Sequence, residues 1–267
     1  MKHTPSALAV GGFPGFWKRS LDHFKNQTNV ALKLETLERV KNSLTLWDFS
    51  SRASVESCAD MSDHDIGGQS TGLLEFVPAT NSDPAHARFS GHISNELPED
   101  DDNGRVQRTG YAAWRTEPRP PTIFGRQLWD VDSYNYLALR IKADARKYKV
   151  NVQTESIEFT DLHQHRLYAR RQGQWETVLI KWADFVRTNH GIIVEPQSEM
   201  VRTQVRTIGI GLTDRLPGPF DICVSRMWAT NGLTEDEQQA AGHAELPRMK
   251  MPLGAVPKRL EASDKKP

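Results

Sequence analysis

A chain of 267 residues with 34 basic and 34 acidic side chains has no net charge, which argues against a nucleic-acid binder held by a global field. Its hydrophobic fraction of 37% is modest, but seven Trp and ten Phe supply large apolar side chains for a core. Cys58 and Cys223 are too few for a disulfide framework and fit a reducing compartment, and no apolar run is long enough to cross a bilayer.

The first 28 residues differ from the rest. Lys2, Lys18, Arg19 and Lys25 face a single acid, Asp22, a balance that fits either a mitochondrial import signal with few arginines or an ordinary tail. Phe13, Phe16, Trp17, Leu21 and Phe24 recur at helical spacing, with Lys18 and Arg19 on the polar edge. Such a segment suits a membrane surface, a partner groove, or simple packing on the domain that follows. Half-burying the five apolar side chains is worth roughly 4–6 kcal/mol, enough for reversible attachment. A second amphipathic helix is expected over Asn29–Ser43, where Val30, Leu34, Leu37, Val40 and Leu44 share a stripe.

From Leu44 onward the period changes to that of strands. Strand-like runs cover Leu44–Phe49, Gly72–Val77, His86–Ile93, Thr109–Trp114, Tyr136–Ala143, Lys147–Thr154, His165–Arg170, Trp175–Trp182, Val205–Thr213 and Phe220–Ala229. Leu137, Leu139 and Ile141 alternate onto one face. Short β segments separated by Gly, Pro, Asn and Asp predict an all-β fold, an antiparallel jelly-roll β-sandwich. Glu96–Asp102, the proline-rich Glu117–Phe124 and Thr188–Met200 are expected as loops. The predicted division is an N-terminal extension with amphipathic helices (1–43), a sandwich domain (44–231) and a mobile C-terminal tail (232–267).

Candidate chemistry is sparse. His163 and His165 stand two apart on a strand and could join Asp63 or Asp65 around a metal ion, as a metal-dependent enzyme would require. The preferred reading of Asp63 and Asp65 is local: one carboxylate bonds turn amides while Gly67 and Gly68 supply positive φ. A calcium ion on the two acids is a third option. Gly11–Gly15 lacks the Lys-Ser/Thr of a phosphate loop, and Gly209-Ile210-Gly211 lacks the third glycine of a dinucleotide fingerprint. Trp114, Trp129, Trp175 and Trp182 could form a sugar platform, as in a carbohydrate-binding module. No catalytic residue, cofactor or metal is assigned.

Several short motifs in order carry a family resemblance. They are Ser62-Asp63-His64-Asp65-Ile66-Gly67-Gly68-Gln69-Ser70, Phe89-Ser90-Gly91-His92-Ile93-Ser94, Arg108-Thr109-Gly110-Tyr111-Ala112 and Tyr136-Leu137-Ala138-Leu139-Arg140. Asp144-Ala145-Arg146-Lys147-Tyr148, Trp175-Glu176-Thr177-Val178, Ile208-Gly209-Ile210-Gly211-Leu212, and Asp214 with Gly218-Pro219-Phe220 continue the series. Together they resemble the complex I intermediate-associated protein family over Leu46–Asn231. Lys181-Trp182 departs from a Pro-Phe pair often found in the family. The resemblance implies a galactose-binding-like jelly roll used for protein contacts. It also implies a non-enzymatic, chaperone-like assembly factor in the mitochondrial matrix, peripheral on the inner membrane. Its implied partners are membrane-arm subunits of an early complex I intermediate and other assembly factors. Phe13, Phe16, Trp17, Lys18, Arg19, Leu21 and Phe24 are the expected membrane or partner contacts.

Overall fold

The structure, a computed structural model, describes residues 18, 21, 43–97, 106, 108–123, 125–156, 158 and 160–233. Thirteen strands follow in chain order: β1 (Leu44–Asp48), β2 (Cys58–Ser62), β3 (Thr71–Val77), β4 (His86–Ile93), β5 (Ala112–Thr116), β6 (Tyr136–Ala143) and β7 (Tyr148–Thr154), then β8 (Asp161–Arg166), β9 (Glu176–Lys181), β10 (Val186–Asn189), β11 (Ile192–Ile193), β12 (Val205–Leu212) and β13 (Gly218–Thr230). A one-turn helix, α1 (Arg52–Glu56), is capped by the Ser51 hydroxyl and links β1 to β2.

These strands form two antiparallel sheets. One runs β3-β4-β13-β6-β9, with β1 also on β13; the other runs β11-β10-β8-β7-β12-β5-β2. The jelly-roll sandwich expected from the short strands is therefore present. Leu137, Leu139 and Ile141 of β6 and Ile208, Ile210 and Leu212 of β12 belong to one core in which all six are 0% exposed. β13 crosses the core with a bulge between Val224 and Arg226. The bulge switches the inward set from Phe220, Ile222 and Val224 to Met227 and Ala229, so one long strand serves the sheet at both ends.

Several boundaries differ from those the sequence predicts, each for a tertiary reason. The strand expected over Thr109–Trp114 begins only at Ala112, because Gly110 adopts φ 92° and the amides of Gly110 and Tyr111 turn to a side chain. The strand expected over His165–Arg170 is Asp161–Arg166: Leu167 donates its amide to Tyr148 O, and the chain beyond leaves the sheet. Thr188–Met200 is not only a connection. It contains the end of β10 and all of β11, held to β8 by the Arg187–Asp161 ion pair and by Asn189. β2 went unpredicted because Cys-Ala-Asp-Met-Ser shows no alternation. The predicted helix over Asn29–Ser43, apart from Ser43, which is exposed and not helical, and the tail beyond residue 233 lie outside the described residues.

Gly209 shows why the middle of β12 carries glycine. A β-carbon there would lie 2.1 Å from Trp114 O and 2.8 Å from Arg115 Cα, both backbone atoms that cannot step aside. G209A is expected to destabilise the domain by about 3 kcal/mol, at the upper end of overpacking costs. A chemical-denaturation midpoint that does not move would contradict this.

Candidate functional site

The Ser62–Ser70 motif closes one end of the sandwich around Asp63. This carboxylate is fully buried. Its Oδ1 accepts the Ser70 amide at 2.8 Å; its Oδ2 accepts the Ser70 hydroxyl at 2.8 Å and the Gly110 amide at 2.5 Å. The Tyr111 amide also points to Oδ2 at 3.3 Å, and the Ser94 amide donates to Ser70 Oγ at 3.0 Å. Three loops from different parts of the chain thus meet at one negative charge. Gly67 takes φ 88°, as the turn reading requires, whereas Gly68 makes room: its β-carbon would lie 2.5 Å from Asp63 Cγ.

A second tie stands beside it. Arg146 forms a bidentate pair with Asp214 at 2.9 and 2.8 Å and also donates to the carbonyl oxygens of Pro219 and Leu216. Burial pushes the Asp214 carboxyl up, but the Arg146 hydrogen bonds and charge, with the Leu216 and Lys147 amides, leave it below the usual carboxylate range. Asn95 links the two ties by donating to Arg215 O at 2.6 Å, and a β-carbon on Gly110 would touch Asn95. The motifs that carry the family resemblance are largely these two ties.

The proposed metal set does not assemble. β8, which bears His163 and His165, lies four strand spacings from β2, which leads into Asp63. That is roughly 19 Å at ~4.8 Å per spacing. Among the described residues no group of three or more His, Cys, Asp or Glu is placed to hold a metal ion. The two histidines do share a face, but it is the inward one, level with Val152 and Val150. Burial lowers the His163 pKa, with the nearby Arg187 charge adding to it. His165 packs on Phe185 at 5.6 Å and Tyr168 at 6.2 Å.

The sugar-platform arrangement is likewise not formed, because Trp114, Trp129 and Trp182 are core residues at 1%, 5% and 2% exposure. Trp175 is half-buried, its indole donating to Asp83 at 2.6 Å. The cysteines are free and lie in different sheets. Burial, with Glu117 nearby, pushes the Cys58 thiol up to about 12; burial and Asp221 push Cys223 up to about 11. Neither is a thiolate nucleophile near neutral pH.

Sequence reasoning missed a cleft of about 650 Å³ between β9 and the segment after β8. That segment is pinned: the Arg170 and Arg171 amides donate to the buried Glu176 Oε1 at 2.8 and 3.1 Å, and Gly173 N donates to Ala143 O at 2.8 Å. Tyr168 stands 57% exposed at the mouth, with the Arg166 guanidinium 5.0 Å above its ring. Val178 and Ile180 line the inner wall. The run Arg166-Leu167-Tyr168-Ala169-Arg170-Arg171, basic with one exposed aromatic, was the available signal.

Of the expected N-terminal contact residues, Lys18 and Leu21 are helical and exposed, Leu21 by 58%. Phe13, Phe16, Trp17, Arg19 and Phe24 lie outside the described residues.

The family model described as complex I intermediate-associated protein 30 matches residues 47–224. A Neurospora crassa protein named "Complex I intermediate-associated protein 30, mitochondrial" is 49% identical over 241 residues, covering 84% of this chain and 86% of that protein. The mouse protein of the same name is 28% identical over 185 residues, covering 68% of this chain and 54% of its own length. Among solved structures, a family 11 carbohydrate-binding module of a Clostridium thermocellum cellulase is 14% identical, with TM-score 0.49, covering 72% of this chain and 96% of the module. That degree of likeness carries no inference about sugar binding. The family match spans both ties, the cleft and most of both sheets, and with the Neurospora relative it fixes the assignment: the chain belongs to the complex I intermediate-associated protein 30 family.

Proposed function

We propose that this protein is a non-catalytic assembly factor of mitochondrial respiratory complex I, acting in the matrix at the inner membrane and holding an early membrane-arm intermediate. The observation that carries this reading is the 49% identity, over 84% of the chain, to a relative named for association with a complex I intermediate. The chemistry of the described residues agrees with it. Asp63, Arg146, Asp214, Asp161 and Glu176 each spend their charge holding a loop, which leaves them unavailable as converging catalytic groups. The product of that spending is a rigid scaffold whose shape is set before any partner arrives.

Within this reading the sandwich (44–231) grips polypeptide, while the basic, aromatic N-terminal segment within 1–43 attaches to lipid or to a subunit helix. The test is purification of the tagged full-length chain from mitochondria in mild detergent, with membrane-arm subunits of complex I and other assembly factors identified by mass spectrometry. Recovery without membrane-arm subunits would reject the holding role. Replacing Phe16, Trp17 and Phe24 with Ser is expected to reduce binding to cardiolipin-containing vesicles at least tenfold with Tm unchanged. Equal vesicle binding would remove lipid attachment from this segment.

A further inference from the structure

We propose that β9 is a docking edge, and that an extended acidic segment of a partner polypeptide adds to it as a further strand, with alternate side chains entering the cleft. This rests on the reading of the protein as a polypeptide-binding factor and names the place and chemistry of one contact.

β9 ends the six-stranded sheet and, among the described residues, pairs only with β6. The parity of that pairing identifies what its outer edge offers. Trp182 N donates to Asn135 O, extending the register in which Lys181 lies opposite Tyr136. In an antiparallel ladder bonding residues alternate, so Ile180, Val178 and Glu176 turn their amides and carbonyls to β6. The backbone groups of Thr177, Leu179 and Lys181 therefore point to the open side. No hydrogen bond among the described residues uses the amide or carbonyl of Thr177 or Leu179 on that side. Exposed edges of this kind are templates for strand addition, and proteins usually blunt them.

The surroundings select the guest. The cleft runs along β9 from Glu176 to Ile180, so a segment of about six residues, spanning ~20 Å, matches the six-residue strand. Side chains facing inward would meet Val178, His165 and the exposed Tyr168 ring, which favours apolar residues there. Arg166 and Arg170 stand exposed at the mouth, and neither pairs with a carboxylate among the described residues. The cleft's own carboxylate, Glu176, is turned inward and engaged by backbone amides. A guest with carboxylates at alternate positions would complete this surface, and a basic one would be repelled.

Two other strand edges with exposed apolar residues lack this match: β11 exposes Ile192 and Ile193 but is only two residues long. β3 carries exposed Leu73, but its neighbouring cleft mixes Glu56, Asp60 and Glu75 with Arg52 and Arg88.

The experiment uses the full-length chain expressed in mitochondria, with a photo-reactive benzophenone side chain at position 179 and, as a control, at position 73. The expected result is cross-linking from position 179, and not from 73, to an acidic extended segment of a complex I membrane-arm subunit. R166E with R170E should cut that yield at least tenfold. K181P removes an outward amide that β6 does not use, at a backbone φ of −69° that proline adopts, and should do the same with Tm nearly unchanged. Cross-links from 179 to lipid, to a basic segment or to the protein's own termini would overturn the proposal. So would yields within twofold of wild type in the charge-reversed variant. If the protein retains membrane-arm subunits but 179 reaches none of them, the docking edge fails and the assembly role stands. If it retains no such subunits, both fail.

Discussion

Asp63→Ala is expected to cost about 4–5 kcal/mol, which would leave little of the protein soluble at 37 °C. The estimate follows from what is left behind. Removing the carboxylate strands the Ser70, Gly110 and Tyr111 amides and the Ser70 hydroxyl in a site closed to water, and a buried unsatisfied donor costs ~1–3 kcal/mol. Incomplete relaxation and weak contacts keep the sum below the arithmetic maximum, but it is still a large share of a typical ~5–15 kcal/mol total. For a domain of this size the Tm should fall by about 10–15 °C. D63N keeps the shape but turns an amide toward donors, and should lose roughly 2–3 kcal/mol. A wild-type melting curve for D63A would show that Asp63 does not hold the three loops together.

Arg146→Ala should cost about 3–5 kcal/mol at neutral pH, because it leaves the Asp214 carboxylate, 3% exposed at the side chain, buried without its partner. The pH dependence separates this from simple loss of packing. In the wild type the folded-state pKa of Asp214 is depressed, so its stabilising contribution is full above the unfolded carboxylate value, roughly 3.9, and is lost as pH falls through the folded value. In R146A only the Leu216 and Lys147 amides still oppose the burial effect, so that pKa rises. The variant is therefore destabilised by the ionised carboxylate at pH 7 and relieved as protonation sets in. The difference between the two proteins should narrow from pH 7 toward pH 4, measured by urea unfolding at each pH. A constant difference would assign the loss to packing rather than to charge.

How far the sequence alone reached depended on where the determining contact lay. β4 and β6 were predicted to the residue because their signal is internal: apolar side chains alternate and turn residues flank them. β10 could not be read from Val-Arg-Thr-Asn, since its pairing depends on Asp161, 26 residues earlier, holding Arg187. β5 was misplaced by three residues because Asp63 captures the amides that would have begun it. The local reading of the Asp-His-Asp-Ile-Gly-Gly turn was right in kind, but its reach to Gly110 and Ser94 needed the fold. The cleft beside β9 was invisible for a related reason. It is built from Arg166, Tyr168 and Val178, which are unremarkable singly and become a surface only when Glu176 draws the intervening chain back.

One consequence concerns how the chain must be made. β13, the last strand among the described residues, is not peripheral: it lies between β4 and β6 and also carries β1. Until residues 218–230 have arrived, the strands already synthesised flank an empty lane and cannot close their sheet. A product terminated before Pro219 should have no stable sandwich, and a nascent or newly translocated chain must be kept from self-association until its final stretch is delivered. A factor proposed to guard an incomplete partner would itself depend on such guarding during its own birth.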